Sequence, residues 1–134
     1  MATQTKIRLP DRPAASAGRS TVSLRRRVFL VDAQTILRDG LTALLELEPD
    51  FDVVGQAGSL PQALRLVGTL APDLIVTDVS LPGMVSIEEL ARLRRTCPAA
   101  RMVVLTALNT EESIRAALSA GADGYIVKDA SRNE

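Results

Sequence analysis

Four short apolar runs in this chain each stop at a side chain with chemistry to offer. Val28-Phe29-Leu30-Val31 stops at Asp32, Leu74-Ile75-Val76-Thr77 at Asp78, Met102-Val103-Val104-Leu105 at Thr106, and Tyr125-Ile126-Val127 at Lys128. Runs of this length and composition suit buried strands. In a parallel α/β sheet every strand's carboxyl end lies on one edge, so the four residues would converge on a single crevice. Two carboxylates, a hydroxyl and an ammonium together can hold a divalent metal and a phosphoryl group. Taken singly, Thr106 and Tyr125 read as ordinary packing at a strand end.

Helical patterns separate the runs, as repeated βαβ units require. After the first strand, Val28 to Val31, a helix is predicted from about Thr35 to Leu47, with Ile36, Leu37, Leu41, Leu44, Leu45 and Leu47 on its apolar face and Pro49 closing it. A second strand over about Asp52 to Gly55 leads to a helix opened by Ser59, with Gln62 completing a capping-box pattern and Pro61 in the first turn. Strand three, Asp73 to Thr77, is almost wholly apolar and reads as a central strand covered on both faces. Ser86 with Glu89 and Asn109 with Glu112 open two further helices, running to about Arg95 and Ala120, which Pro98 and Gly121 stop. The expected fold is α/β, a doubly wound parallel five-stranded sheet with four helices.

At 134 residues the chain is sized for one domain with its own core. Cys97 is the lone cysteine, which excludes a disulfide framework and points to a reducing, cytoplasmic location. Apolar runs fall far short of the ~20 residues that cross a bilayer, so no membrane association is expected. Net charge is zero but segregated: residues 1–27 carry seven Lys or Arg against Asp11 alone, leaving nine bases and fifteen acids in residues 28–134. Residues 1–26 lack periodicity and read as a disordered basic extension, and residues 27–134 as the folded domain. Arg25-Arg26-Arg27 reads as solvated charge at the foot of the first strand. An acidic body argues against DNA binding by this domain, since phosphate contacts need clustered bases.

The order and spacing of three motifs carry a resemblance. They are Pro72-Asp73-Leu74-Ile75-Val76-Thr77-Asp78 with Leu81-Pro82-Gly83-Met84, then Val104-Leu105-Thr106-Ala107, then Gly121-Ala122-Asp123-Gly124-Tyr125-Ile126-Val127-Lys128-Asp129-Ala130. Together they resemble the receiver domain of bacterial two-component response regulators, from Val28 to about Ala130. Leu37-Arg38-Asp39-Gly40-Leu41 and the Gly-Tyr to Lys-Asp-Ala ending resemble the subgroup that carries a carboxyl-terminal helix-turn-helix. The resemblance implies a flavodoxin-like receiver fold with strand order 2-1-3-4-5. It also implies a phosphoacceptor role for Asp78, with a sensor histidine kinase as partner, and no enzymatic turnover. Lys128 would neutralise the incoming group, Thr106 would donate its hydroxyl in the switched state, and Tyr125 would rotate inward behind it. Mg²⁺ would be held by Asp32, Asp78 and the main-chain carbonyl of Ser80.

Two departures from the family pattern matter. The family presents two adjacent acids after strand one, and here the pair is Asp32-Ala33, which predicts weakened metal affinity; Gln34 has an amide oxygen to offer. Val85-Ser86 stands where the family often has Asp-Gly. The functional reading therefore divides between a receiver that accepts phosphate and a phosphorylation-independent interaction module, with a fragment of a helix-turn-helix regulator as a further form of either. A flavin carrier on the same sheet is disfavoured, because Asp32-Ala33-Gln34-Thr35 has no glycine and an acid where a phosphate would sit. Family receivers close with a fifth helix, whereas here Ser131 and Glu134 announce a capping box as the sequence stops. The domain is thus expected to lack that helix, leaving the sheet face near strands four and five partly bare and prone to homodimer formation.

Overall fold

The computed structural model describes residues 25–128. Most of the predicted basic extension and the Ser131/Glu134 capping box lie outside the described residues. Five strands alternate with four helices: β1 (Arg26–Val31), α1 (Thr35–Glu46), β2 (Phe51–Ala57), α2 (Leu60–Leu70), β3 (Leu74–Thr77), α3 (Leu90–Thr96), β4 (Arg101–Thr106), α4 (Glu111–Ser119) and β5 (Gly124–Val127). All pairings are parallel and the strand order is β2-β1-β3-β4-β5, as expected.

Alternation along the strands sorts side chains between two unequal faces. Phe29, Val31, Ile75, Met102 and Val104 face α2, α3 and α4, where Leu60, Val67, Leu90, Leu93 and Ala117 complete a fully buried core. Val28, Leu30, Leu74 and Val103 face the other way, with Leu41 and Leu45 of α1 packed on them. Beside α1 this second face opens into an apolar groove of about 230 Å³ lined by residues that include Leu45, Phe51, Val76, Leu105 and Ile126. Among the described residues this groove lies on the face of β4 and β5 expected to be partly bare, and central β3 is less covered on that side than its apolar sequence suggested.

The apolar face of α1 is narrower than predicted. Leu37, Leu41 and Leu45 are half-buried, but Ile36 is 87% exposed and Leu44 and Leu47 also face solvent. At about 100° per residue, positions 37, 41 and 45 form one stripe, while 36 and 47 fall well over 100° from its centre.

Capping also differs in detail. Ser59 Oγ accepts from the Gln62 N–H as expected, at 3.3 Å, but Gln62 Oε1 reaches back to Gly58 N–H at 2.9 Å. At Ser86 the hydroxyl makes no cap bond; Glu89 Oε2 accepts from Val85 N–H at 3.3 Å, and the chain enters α3 through a 3₁₀ turn, Ile87–Glu89. For α4 the cap is Thr110, one residue after the predicted Asn109, its Oγ1 accepting from Ser113 N–H at 3.0 Å. The turn after β3 depends on Gly83, at φ +83°, where a Cβ would sit 2.5 Å from Pro61 Cδ.

Candidate functional site

Strand register builds the crevice. Val31 pairs with Thr77 and Thr106 with Val127, so Asp32, Asp78 and Lys128 each lie one step past a last paired residue. The ladder still latches all three: Asp32 N–H donates to Ala57 O (3.0 Å), Asp78 N–H to Val31 O (2.9 Å) and Lys128 N–H to Thr106 O (2.6 Å). Fixed backbones at adjacent strand ends then leave little freedom to short acidic side chains.

Lys128 Nζ donates to Asp32 Oδ2 at 2.9 Å and to Asp78 Oδ2 at 3.0 Å, so one ammonium bridges both carboxylates. The other carboxylate oxygens are held by main chain: Asp32 Oδ1 accepts from Gln34 N–H at 2.8 Å, and Asp78 Oδ1 from Val79 and Ser80 N–H at 2.6 and 3.3 Å. Asp32 is only 4% exposed, and the Lys128 side chain 22%. Gln34, expected to have its side-chain amide to offer, instead serves through its backbone, and exposed Ser80 lies in the loop beyond Asp78.

Charge balance follows from this geometry. Burial pushes the Asp78 carboxyl up, but hydrogen bonds from Thr106, Lys128 and the Val79 N–H, with the Lys128 charge, outweigh it and hold the group below its ordinary value. Burial works against the Lys128 ammonium, yet its bonds to Asp32 and Asp78 and their charges raise its pKa. Buried Thr106 ends β4, and its Oγ1 also accepts weakly from Leu108 N–H at 3.4 Å. Tyr125 donates its hydroxyl to Leu108 O at 2.8 Å; partial burial, and then the Asp78 charge, raise its pKa. Asp32, Asp78, Thr106 and Lys128 thus gather at one edge, with Ser80 in the adjoining loop and Tyr125 bonded to the loop after β4.

Sequence reasoning missed Arg38. From α1 its guanidinium donates to the main-chain carbonyl of Asp32, to Gln56 Oε1 (3.0 Å) and weakly to Thr35 Oγ1 (3.4 Å). With Asp32, Thr77 and Asp78 it lines a small cleft at the crevice floor. Its spacing of six from Asp32 spans the strand-to-helix turn, and that was the available signal. Among the described residues, no group of three or more His, Cys, Asp or Glu is placed to hold a metal ion.

A doubly wound sheet with an acid–acid–lysine crevice at its carboxyl edge defines a flavodoxin-like domain built to receive a charged group. Residues 28–134 match the response regulator receiver domain, and the chain belongs to that family. It is 43% identical over 103 residues to the DNA-binding transcriptional activator DevR/DosR of Mycobacterium tuberculosis, covering 77% of this chain and 48% of that one. Over 102 residues it is 41% identical to the nitrate/nitrite response regulator protein NarL of Escherichia coli, covering 76% and 47%. The chain therefore spans about half the length of the curated relatives it matches. A crystal structure of a response regulator from Burkholderia pseudomallei, with a phosphorylated aspartic acid, calcium ion and citrate, superposes with a TM-score of 0.71 at 27% identity, covering 79% of this chain and 61% of that one. Among the described residues no helix is long and apolar enough to cross a membrane.

Proposed function

We propose that Asp78 accepts a phosphoryl group from a phosphohistidine of a sensor histidine kinase. A carboxylate oxygen attacks phosphorus, the P–N bond breaks, and the imidazole leaves with the bonding pair. The observation that carries this reading is the ammonium of Lys128 shared between Asp32 and Asp78, which positions a cation where the transferred oxygens would lie. Thr106 then donates its hydroxyl to the new phosphoryl oxygens, and Tyr125 gives up its bond to Leu108 O and turns inward. The output is a change of protein contacts, not turnover of a substrate, in the cytoplasm and in service of transcription control like that of the named relatives. DNA binding is not assigned to these residues, and the apolar groove beside α1 is the surface through which copies would associate.

The carboxylates of Asp32 and Asp78 and the Ser80 carbonyl would hold Mg²⁺, which when bound offsets charge on the phosphoryl group. Ala33 removes one anionic ligand, so this hold is weak. The same substitution favours a second reading, an interaction module that works without phosphate.

Incubation with acetyl phosphate and Mg²⁺ separates the two. Mass spectrometry is expected to find one acid-stable, base-labile phosphate, absent in Asp78→Asn and formed faster in Ala33→Asp. No modification at any Mg²⁺ concentration leaves only the interaction module.

A further inference from the structure

Asp32 is held by more than its carboxylate. It is buried at the end of β1, where its carbonyl has no further strand residue to pair with, and a buried carbonyl needs a donor. Arg38 provides it from the first turns of α1, across the loop that contains Ala33. The guanidinium is itself braced by a closed ring of bonds: Arg38 Nε to Gln56 Oε1 (3.0 Å), Gln56 Nε2 to Thr42 Oγ1 (3.0 Å), and Thr42 Oγ1 to Arg38 O (2.8 Å). Asp32 N–H meanwhile donates to Ala57 O of β2. Both main-chain groups of Asp32 are therefore tied, one to a strand and one to a helix, and the direction of its side chain follows.

This brace gains importance because position 33 is alanine. With two acids on the loop, an error in the aim of one is shared by the other; with Asp32 alone the loop's entire contribution depends on one carboxylate. We propose that Arg38 is a positioning residue for the phosphoryl-transfer site, acting through the Asp32 carbonyl to keep that single carboxylate aimed at the cation position and at Lys128. The proposal rests on the reading of Asp78 and Asp32 given above, and it assigns the effect to the guanidinium's forked geometry and not to its charge. Arg is suited to this because its donors are fixed in one plane, whereas Lys presents a point charge on a flexible stem.

Arg38→Met and Arg38→Lys test it, with two readouts that need no phosphoryl transfer. The first is exchange of the Gln34 amide in the metal-free protein, since that N–H sits on Asp32 Oδ1. The second is the Mg²⁺ dissociation constant from calorimetry. Both variants are expected to speed Gln34 exchange and to weaken Mg²⁺ binding by about 10-fold, the usual scale for groups that orient metal ligands. Gly58→Ala should act in the same direction but less, because its Cβ would lie 3.2 Å from the Arg38 Nη1. Unchanged Gln34 exchange in Arg38→Met, Mg²⁺ affinity within twofold of the parent, or parental behaviour of Arg38→Lys each overturns the proposal; so does a parent that binds no Mg²⁺. If the parent binds Mg²⁺ but takes no phosphate while both variants loosen Gln34 and the metal, the phosphoacceptor reading fails and the positioning role stands.

Discussion

The two edges of the sheet use the same ingredients to opposite ends. At the amino-terminal edge Asp73 Oδ2 accepts from Arg27 N–H, and Asp123 Oδ2 accepts from Met102 N–H, each at 2.9 Å, so each acid caps the start of a neighbouring strand. The cations there are arginines that also satisfy main-chain carbonyls: Arg27 reaches Leu70 O at the end of α2, and Arg94 reaches Ala100 O, Gly121 O and Asp123. At the carboxyl edge two acids share one lysine. The first arrangement is closed, with donors matched to acceptors; in the second a single ammonium bridges both carboxylates, while Arg38 gives its donors to the Asp32 carbonyl, Gln56 and Thr35. The two edges are separated by how their charges are paired.

The contrast is sharpest in Lys128→Met, which would leave two carboxylates facing each other in a poorly solvated site. A loss of about 3 kcal/mol in urea denaturation is expected, together with loss of phosphoryl acceptance, as for breaking a buried ion pair from one side. A loss under about 1 kcal/mol would mean that solvent already screens the pair.

Arg94→Ala tests the other edge. It strands the buried Ala100 carbonyl and is expected to cost about 2 kcal/mol while leaving the rate of Asp78 phosphorylation unchanged. A fall in that rate would show that the edges are coupled.

Acidity gives a smaller effect with a definite sign. The Asp78 carboxyl is depressed in the fold, so its contribution is present above the ordinary value of 3.8 and is lost as pH falls through the lower folded value. Lys128 is raised, so its contribution is present below 10.5 and is lost as pH climbs through the higher folded value. The stability difference between parent and Asp78→Asn, followed by denaturation against pH, should therefore be flat through neutrality and shrink at the two extremes, in strong acid as Asp78 takes up a proton and in strong alkali as Lys128 loses one. A difference that shrinks near neutral pH contradicts the depressed carboxyl.

The smallest change lies away from both edges. Ala71 ends α2 at φ 47°, ψ 61°, a left-handed conformation that costs a side chain about 1 kcal/mol, so Ala71→Gly is expected to raise stability by roughly half that or more. An unchanged or lowered melting temperature would place the strain elsewhere.

The strand ends were legible because period and residue type change together: an apolar run stops and a carboxylate, hydroxyl or ammonium begins. Parallel topology then made convergence a matter of geometry, which the 3.0 Å contact between residues fifty apart bears out. The cap of α4 was read one residue early, because Asn109 and Thr110 can both accept from a helix amide and local sequence does not choose between them. Ile36, Leu44 and Leu47 were assigned inward because apolar character was counted without weighing its angle around the helix. Arg38 stayed hidden for a different reason. A long side chain's destination depends on β2 and the end of β1, which only tertiary packing brings beside it.

The apolar groove beside α1 lies directly beneath the charged rim. Leu105 precedes Thr106, Ile126 sits two residues before Lys128, and Val76 and Leu30 sit two residues before Asp78 and Asp32. A body seated there would contact the same strands that carry Asp78 and Lys128. Thermodynamic linkage then runs both ways: to the extent that phosphate on Asp78 would shift those strands, it must alter affinity for the groove's occupant, and the occupant must alter the equilibrium free energy of phosphorylation by the same amount.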